Sequence, residues 1–330
     1  MIISRTPFRI SFFGGGTDYP EWFKKHGGAV FSSTIDKYCY ISCRYLPQFF
    51  EHKYRIVYSN IENTKSIDDI SHPAVRAILR HYKCQTGLEI HHDGDLPARS
   101  GLGSSSSFTV GLINAIKALN GQHISKENLA NDAINIEQNI IGECVGSQDQ
   151  IAACYGGFNH IEFLQDGTFQ VNPIILKKER LDELNKHLML FFTGISRNAP
   201  EIAESQIKNI QNHEIGLKRM KEMVGESINI LKNNVPINEF GELLHEGWMC
   251  KRALSSQVST ETVDNIYDTA RSSGAIGGKL LGAGGGGFIL LFSPVEYQPK
   301  ILEKLSHLIH VPFEFQNSGS RIVLYQPDGL

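Results

Sequence analysis

The sequence lacks several features that would assign it to a class directly. No apolar run approaches the about 20 residues that a membrane-spanning helix needs. Residues 1–7 lack the apolar stretch and small-residue cleavage site of a signal peptide. No run of five or more basic residues occurs, and a net charge of −3 gives no basic field for nucleic acid. These absences predict a cytoplasmic protein with neither a membrane nor a nucleic acid as its partner.

Cysteine and Walker motifs are also missing. The six cysteines contain no Cys-x-x-Cys pair and no metal-ligand spacing, so we expect reduced thiols that pack as small apolar groups. The only Gly-Lys pair, Gly278-Lys279, is followed by leucine, which excludes a Walker loop. Residues 282–287 match G-x-G-x-x-G, but an apolar strand follows where a dinucleotide-binding fold needs a helix. A nucleotide bound here would therefore require another fold.

Three glycine-rich segments stand out instead, at residues 14–18, 97–107 and 282–287. The middle one, Pro-Ala-Arg-Ser-Gly-Leu-Gly-Ser-Ser-Ser-Ser, runs directly into an amphipathic segment that predicts a helix from Ser104 to Asn120. The first turn of a helix leaves backbone N–H groups unpaired, which suits a phosphate. The other two segments adjoin strand-like runs. Three such turns predict one cleft assembled from distant parts of the chain.

The remaining pattern predicts an α+β protein of two domains. With 330 residues, 41% of them hydrophobic, the chain is long enough for two cores. The first hundred residues are mostly strand-like, and a helix capped by Ser71 interrupts them. A charged, poorly periodic stretch near residues 177–186 marks the boundary, giving domains 1–184 and 185–330. Strands and helices alternate after it, which predicts a sheet covered by helices.

Several local elements are also predicted. Gly121 predicts a left-handed end to the helix that starts at Ser104, and Ser125 begins another helix with apolar spacing through Ile140. Asp166-Gly167 predicts a hairpin. Residues 199–231 predict a long helix or a broken pair, and a last strand is expected near residues 321–325.

Two carboxylates are candidates for chemistry beside the middle segment. Glu137 lies in a predicted helix, where a lone glutamate usually faces solvent, and Asp149 lies in a small-residue loop, where aspartate favours turns. Beside a phosphate loop, one of them could hold Mg²⁺ and the other orient or deprotonate a hydroxyl nucleophile. Arg9 could supply positive charge or simply face water. Asp18 could cap a turn or accept hydrogen bonds from sugar hydroxyls.

Three motifs taken in order resemble the GHMP kinases (galactokinase, homoserine kinase, mevalonate kinase and phosphomevalonate kinase). They are residues 6–20, TPFRISFFGGGTDYP, residues 96–107, LPARSGLGSSSS, and residues 279–288, KLLGAGGGGF. The resemblance spans nearly the whole chain. It implies an N-terminal domain like domain 2 of ribosomal protein S5, a ferredoxin-like C-terminal domain, ATP and Mg²⁺ as cofactors, and an acceptor bound between the domains.

The resemblance also implies roles for single residues. Asp149 matches the catalytic aspartate and Arg9 the basic residue beside it, while Asp18 matches the acceptor of sugar hydroxyl groups. Glu137 matches the acidic Mg²⁺ ligand, joined by Ser104 or Ser105, with Ser105 favoured. The ATP phosphates would lie on Gly101, Leu102, Gly103, Ser104, Ser105, Ser106 and Ser107. The acceptor would lie near Gly15, Gly16, Thr17, Asp18, Thr193, Gly194, Gly284 and Gly285.

A departure from the galactokinase pattern narrows the range of possible acceptors. Galactokinases have Gly-Glu-His-Thr-Asp-Tyr where this chain has Gly-Gly-Gly-Thr-Asp-Tyr. Residues 97–108 and 192–199 most resemble D-glycero-α-D-manno-heptose 7-phosphate kinases, which phosphorylate the anomeric hydroxyl for GDP-heptose synthesis. Such a sugar phosphate needs a second cationic site, for which Arg197 is the first candidate and Arg99 the second.

Several alternatives stay open at this stage. The acceptor could be fucose or a hexose, and the chain could be a binding protein that has lost catalysis, although the intact Asp149, Glu137 and Arg9 argue against that. Asp18 argues against an isoprenoid or amino-acid acceptor. Residues 58–75 are a candidate for the adenine pocket, and both a monomer and a homodimer are compatible with the sequence.

Overall fold

Two β-sheets organise the computed structural model, which describes residues 1–195, 202–205, 207, 213–233 and 235–327. Within those residues the first sheet has nine strands: β1 (Ile2–Phe13), β2 (Gly28–Tyr45), β3 (Tyr54–Val57), β4 (Ile61–Thr64), β5 (Leu88–Gly94), β6 (Asn159–Phe163), β7 (Phe169–Pro173), β12 (Phe315–Gln316) and β13 (Arg321–Tyr325). The second has four: β8 (Leu188–Phe192), β9 (Gly277–Leu280), β10 (Phe288–Phe292) and β11 (Ile309–His310).

The described helices cover these sheets. They are α1 (Pro20–His26), α2 (Pro73–His81), α3 (Ser104–Leu119), α4 (Lys126–Ile134), α5 (Gln148–Tyr155), α6 (Lys178–His187), α7 (Glu214–Lys232), α8 (Asn238–Arg252), α9 (Glu261–Ser272) and α10 (Gln298–Lys304). None of them combines the length and apolar character that crossing a bilayer requires. All six cysteines are free thiols.

The long strand β2 is the centre of the first sheet. It pairs antiparallel with β1, β5, β6 and β12, and the strand order along the main path is β13-β1-β2-β5-β3-β4. The predicted hairpin around Asp166-Gly167 is confirmed, because β6 and β7 pair with Phe163 opposite Phe169. The antiparallel order places the ends of distant segments side by side at one edge of the cleft.

Helix α3 packs closely on β1 and β2. Gly111 permits the approach, because a Cβ atom there would lie 2.9 Å from Thr6 Oγ1. Ser4 Oγ donates to the Gly111 carbonyl at 2.7 Å, and Ser107 Oγ donates to the Pro7 carbonyl at 3.0 Å. The predicted helix start is confirmed, with Gly103 in the left-handed region at φ 74° as its N-cap. These contacts fix the first turn of α3 relative to β1.

Two local predictions on helices need correction. The N-cap of α2 is His72 and not Ser71, because the His72 imidazole accepts from Val75 N and Pro73 occupies the first turn. The helix predicted to continue from Ser125 through Ile140 ends as an α-helix at Ile134 and continues as a π-helical turn, Asn135–Ile141. Such turns are frequent at functional sites. This one carries Glu137 to a buried position.

The chain returns to its first sheet at the end. The strand predicted near Arg321–Tyr325 is present, but it pairs with β1, and Phe315–Gln316 pairs with β2. The sheet that follows the predicted boundary therefore consists of β11-β8-β10-β9 alone. Helices α8 and α9 pack on β9, and α8 lies against α7, which packs on β1 and β2. The segment 199–231, predicted as a long helix or a broken pair, falls partly outside the described residues.

Candidate active site

A partly buried ion pair joins β1 to the start of α5. Arg9 is 4% exposed, and its Nε donates to Asp149 Oδ1 at 2.7 Å while Nη2 donates to Oδ2 at 2.8 Å. The third donor, Nη1, reaches the Gly101 carbonyl at 2.7 Å. A bidentate guanidinium–carboxylate contact fixes the plane of both groups. The predicted partners Arg9 and Asp149 are thus held together beside the second glycine-rich segment.

That segment meets the third one through backbone contacts. The Arg9 amide donates to the Leu102 carbonyl at 3.1 Å, and the Phe288 amide donates to the Ser100 carbonyl at 3.0 Å. Gly101 has a φ of +87°, and a Cβ there would lie 2.5 Å from the Leu281 carbonyl oxygen. Glycine is required where two backbones approach so closely. Residues 97–107 and 282–287 therefore form one wall of the site.

The first segment closes the site from the other side. Asp18 is buried, and its Oδ1 accepts from the Gly16 amide at 2.9 Å while Oδ2 accepts from the Gln148 amide at 3.4 Å. Burial raises the pKa of Asp18, and the nearby charge of Asp149 raises it further. Because Gln148 precedes Asp149, the two aspartates lie side by side. The Thr17 hydroxyl donates to the carbonyls of Gly14 and Ala29, so it holds the turn itself.

Two buried lysines face the same site. Lys251 on α8 donates from Nζ to the Leu280 carbonyl at 3.2 Å and to the Gly282 carbonyl. Lys279 on β9 donates to the Phe12 carbonyl at 2.8 Å. Burial lowers the pKa of Lys251 to about 7, an effect that Arg9 reinforces and that Asp18 and Asp149 oppose. Burial, Lys251 and Arg9 also push the pKa of Lys279 far below its ordinary value.

These lysines escaped the sequence predictions, although each left a signal. Lys251 continues the buried stripe of α8, three residues after Trp248 and seven after Leu244. Lys279 interrupts the fully buried strand β9. A lysine at a buried position is rare unless a partner or a function keeps it there. With Arg9 they place three basic side chains beside the two carboxylates Asp18 and Asp149.

Glu137 forms a second acidic position near the start of α3. It is 1% exposed, its Oε2 accepts from Ser106 Oγ at 2.9 Å, and Gln150 Nε2 donates to the same oxygen. Oε1 and the nearby Thr109 hydroxyl are buried without a hydrogen bond of normal geometry among the described residues. Burial raises the pKa of Glu137 to about 7 even though the neighbouring side chains lower it. The serine in contact with Glu137 is Ser106, while Ser105, the favoured candidate, is exposed.

The comparison with known proteins agrees with this arrangement. The family profiles for the GHMP kinases N terminal and C terminal domains match residues 69–157 and 235–309. Over 305 residues the chain is 32% identical to the D-glycero-alpha-D-manno-heptose 7-phosphate kinase of Campylobacter jejuni, covering 88% of this chain and 89% of that protein. This chain belongs to the GHMP kinases. It is therefore a phosphotransferase, and the predicted two-domain α+β fold is confirmed.

Two further relatives extend the comparison. The chain is 25% identical over 311 residues to the bifunctional fucokinase/GDP-fucose pyrophosphorylase of Arabidopsis thaliana, covering 87% of this chain and 29% of that protein. The crystal structure of a D-glycero-D-manno-heptose 1-phosphate kinase from Bacteroides thetaiotaomicron superposes with a TM-score of 0.81 at 24% identity, covering 99% of this chain and 100% of the other. The second match shows the shared fold.

An aromatic cluster flanks the start of α3 in this GHMP kinase. The His72 ring stacks on Phe108 at 4.7 Å between centroids, and His92 meets the same ring edge-on at 5.2 Å. Tyr58 approaches His72 edge-on at 4.9 Å. Burial lowers the pKa of both histidines, which favours neutral rings. Residues 58 and 72, both within the predicted adenine stretch 58–75, thus reach the phosphate-loop helix.

The other predicted acceptor residues lie in two places. Thr193 Oγ1 donates to the Gly287 carbonyl at 2.8 Å, and Gly285 N donates to the Val258 carbonyl at 2.9 Å, so both tie the third glycine segment to its surroundings. Gly194 and Gly284 have φ of +73° and +128°. Arg99 is exposed with φ of 58°, and its charge lowers the pKa of His72 and of Glu143, whose pKa burial raises. Arg197 lies outside the described residues.

Proposed function

We propose that this GHMP kinase is an ATP- and Mg²⁺-dependent sugar kinase that phosphorylates the anomeric 1-hydroxyl of D-glycero-α-D-manno-heptose 7-phosphate to the 1,7-bisphosphate. The product would enter GDP-heptose synthesis. The observation that carries the proposal is the bidentate Arg9–Asp149 pair, held by the Gly101 carbonyl between the phosphate loop and the Gly14–Asp18 turn. At this position the Arg9–Asp149 pair can contact both the phosphate donor and the acceptor.

The donor nucleotide fits the side of the site where α3 begins. Gly101–Ser107 include the first turn of α3, whose backbone N–H groups precede the helical hydrogen bonds and where the helix dipole favours phosphate. The stacked His72 and Phe108 rings beside that turn offer a flat apolar surface of the kind a purine base needs. Arg99 is electrostatically coupled to His72 and Glu143, which assigns its charge to this side.

The residues near Glu137 fit Mg²⁺. Among the described residues no cluster of three or more His, Cys, Asp or Glu side chains offers a complete metal cage. Mg²⁺ needs none, because it commonly takes one or two carboxylates and completes its octahedron with water and phosphate oxygens. Glu137, whose Oε1 has no hydrogen bond of normal geometry among the described residues, and a serine of the first turn of α3 would hold it. When bound, Mg²⁺ neutralises charge on the transferring phosphoryl group.

The acceptor fits the opposite side, next to Asp149. This carboxylate accepts a hydrogen bond from the attacking hydroxyl and takes its proton as the new O–P bond forms and the bond between the same phosphorus and ADP breaks, so that ADP leaves. Arg9 keeps the carboxylate oriented, and its positive charge stabilises the negative charge of the transferred group, to which Lys251 adds when it is protonated. Asp18 is placed to accept hydrogen bonds from a polyhydroxylated acceptor.

The acceptor's identity rests on the relative from Campylobacter jejuni, which shares 32% of its residues with nearly full coverage of both chains. The more distant fucokinase relative supports the same reaction class with another sugar. A coupled assay of ADP release over a panel of sugar phosphates, fucose and hexoses distinguishes the two. Turnover of fucose or a hexose without turnover of heptose 7-phosphate would remove the heptose proposal.

Asp149→Asn tests the catalytic assignment. Asparagine keeps the shape but removes the proton acceptor, so we expect turnover to fall by about 10²–10⁴ while binding of a non-hydrolysable ATP analogue persists. Asp166→Asn, in the exposed hairpin turn, is the matched control and should behave like the wild type. Wild-type turnover in the Asp149 variant would refute the role.

A further inference from the structure

A set of unpaired polar atoms lies one step further along the cleft face of β1. Side chains two residues apart on a strand share a face, so Ser11 lies on the same side of β1 as Arg9. Its partner across the ladder is Ser32 on β2, which places the two serines next to each other on that face. They therefore lie beside the Arg9–Asp149 pair.

The first glycine segment completes this set. A Cβ atom built on Gly15 would lie 3.6 Å from Ser11 Oγ and 3.6 Å from Gln148 Nε2. Gln148 directly precedes Asp149, and its backbone amide donates to the Asp18 carboxylate. Ser11 and Gln148 thus flank one small space, next to the position that the side chain of residue 15 would occupy.

Polar atoms of Ser11 and Gln148 at this space, and of Ser32 across the ladder from Ser11, have no partner. Ser11 Oγ, Ser32 Oγ and Gln148 Oε1 are all buried without a hydrogen bond to any described residue. Ser11 is 5% exposed and Ser32 is 1% exposed. A buried polar atom without a partner costs free energy, and native proteins keep few of them unless a ligand satisfies them. Three together beside a catalytic pair point to a ligand.

We propose that Ser11, Ser32 and Gln148 form a subsite for secondary hydroxyl groups of the acceptor. The serine hydroxyls can donate or accept, and Gln148 Oε1 accepts from a ligand O–H. The absence of a side chain at Gly15 leaves room for the sugar carbon that carries the hydroxyl. The inference rests on the proposed function. It adds side chains that recognise the other hydroxyl groups of the acceptor, whereas Asp149 contacts only the reacting hydroxyl.

Gly15→Ala tests the subsite without disturbing the fold. Gly15 does not adopt a left-handed backbone, and the added methyl group would make only ordinary contacts at 3.6 Å. We expect unchanged thermal stability and KM for ATP, and a KM for the acceptor at least about tenfold higher, since the methyl group fills the space. Gly225→Ala on α7, where a Cβ meets nothing within 4 Å, is the matched control.

Deoxygenated acceptors identify the hydroxyl that is read. Ser11→Ala and Gln148→Met should each raise the acceptor KM by about 2–12-fold, the range of one neutral hydrogen bond. The loss should vanish for the deoxy acceptor that lacks the matching hydroxyl. The test uses whichever sugar the wild type phosphorylates. A failure of heptose 7-phosphate as a substrate would therefore refute the proposed acceptor without refuting the subsite. Equal acceptor KM values for wild type and Gly15→Ala, or equal losses with every deoxy acceptor, would overturn the subsite.

Discussion

Replacing Lys251 with methionine should change how the stability of this kinase depends on pH. Lys251 is 6% exposed on α8, and its ammonium donates to the carbonyls of Leu280 and Gly282. Burial lowers its pKa from 10.5 to about 7. In the unfolded chain the lysine keeps its proton up to about pH 10.4. The unfolded state therefore binds more protons between about pH 7 and pH 10.

The sign and size of the effect follow from proton linkage. Where the unfolded state binds more protons, the free energy of unfolding rises with pH, by at most about 1.4 kcal/mol per pH unit for one group. From about pH 7 to about pH 9, Lys251 should add about 2 kcal/mol to the stability of the wild type. Methionine does not titrate, so Lys251→Met should lack this rise.

Urea unfolding at a series of pH values measures the difference. Trp22 and Trp248 are both buried, and Trp248 lies one turn from Lys251, so tryptophan fluorescence reports on the relevant helix. Lys24→Met, at an exposed position of α1, is the matched control and should follow the wild-type curve. If the free energies of unfolding of the wild type and of Lys251→Met change in parallel from pH 7 to pH 9, the Lys251 ammonium is not buried on α8.

Two further predictions concern the phosphate loop and the metal. The first compares Gly101 in the loop with Gly121, a glycine after the other end of α3 that serves as the reference. Gly121→Ala should cost about 1–2 kcal/mol, because its φ is +69° in open space. Gly101→Ala should cost clearly more in urea unfolding and weaken nucleotide binding, because its Cβ would also lie 2.5 Å from the Leu281 carbonyl; equal costs would refute the contact. Glu137→Gln should raise the Mg²⁺ concentration for half-maximal activity by at least about tenfold, the loss typical even of outer-shell partners. Titration of Mg²⁺ after treatment with a chelator checks this, and an unchanged requirement would place the metal elsewhere.

Local sequence signals predicted those helix ends and turns whose conformation is determined by a few neighbouring residues. The start of α3 and the left-handed stop at Gly121 follow from glycines at two defined positions. The β6–β7 hairpin follows from Asp166-Gly167 between alternating strands. His72 and Ser71 show the limit of such signals, since either could precede Pro73 and only the packing of His72 on Phe108 selects the histidine.

Long-range placement was harder to predict. Nothing local indicates that Arg321–Tyr325 pairs with β1, because the pairing depends on where the chain returns after α10. The π-helical turn at Asn135–Ile141 likewise depends on tertiary contacts of Glu137 with Ser106 and Gln150. The lysines at 251 and 279 could have been found, because each interrupts a buried stripe or strand.

The three glycine-rich segments have different structural roles, although their sequences are similar. Gly103 opens helix α3, whose first turn is the phosphate site in the proposed function. Gly282 and Gly287 face the backbone of Gly101 and Ser100, where a Cβ would collide, so the third segment supports the second. Gly14 meets the Ala29 carbonyl in the same way, whereas Gly15 faces polar side chains at contact distance. A Cβ on Gly103 would lie 3.3 Å from Arg9 Cγ and 3.4 Å from Asp149 Oδ2, so the glycine there keeps the Arg9–Asp149 pair close to the start of α3, while the proposed role of Gly15 is to leave room for the acceptor.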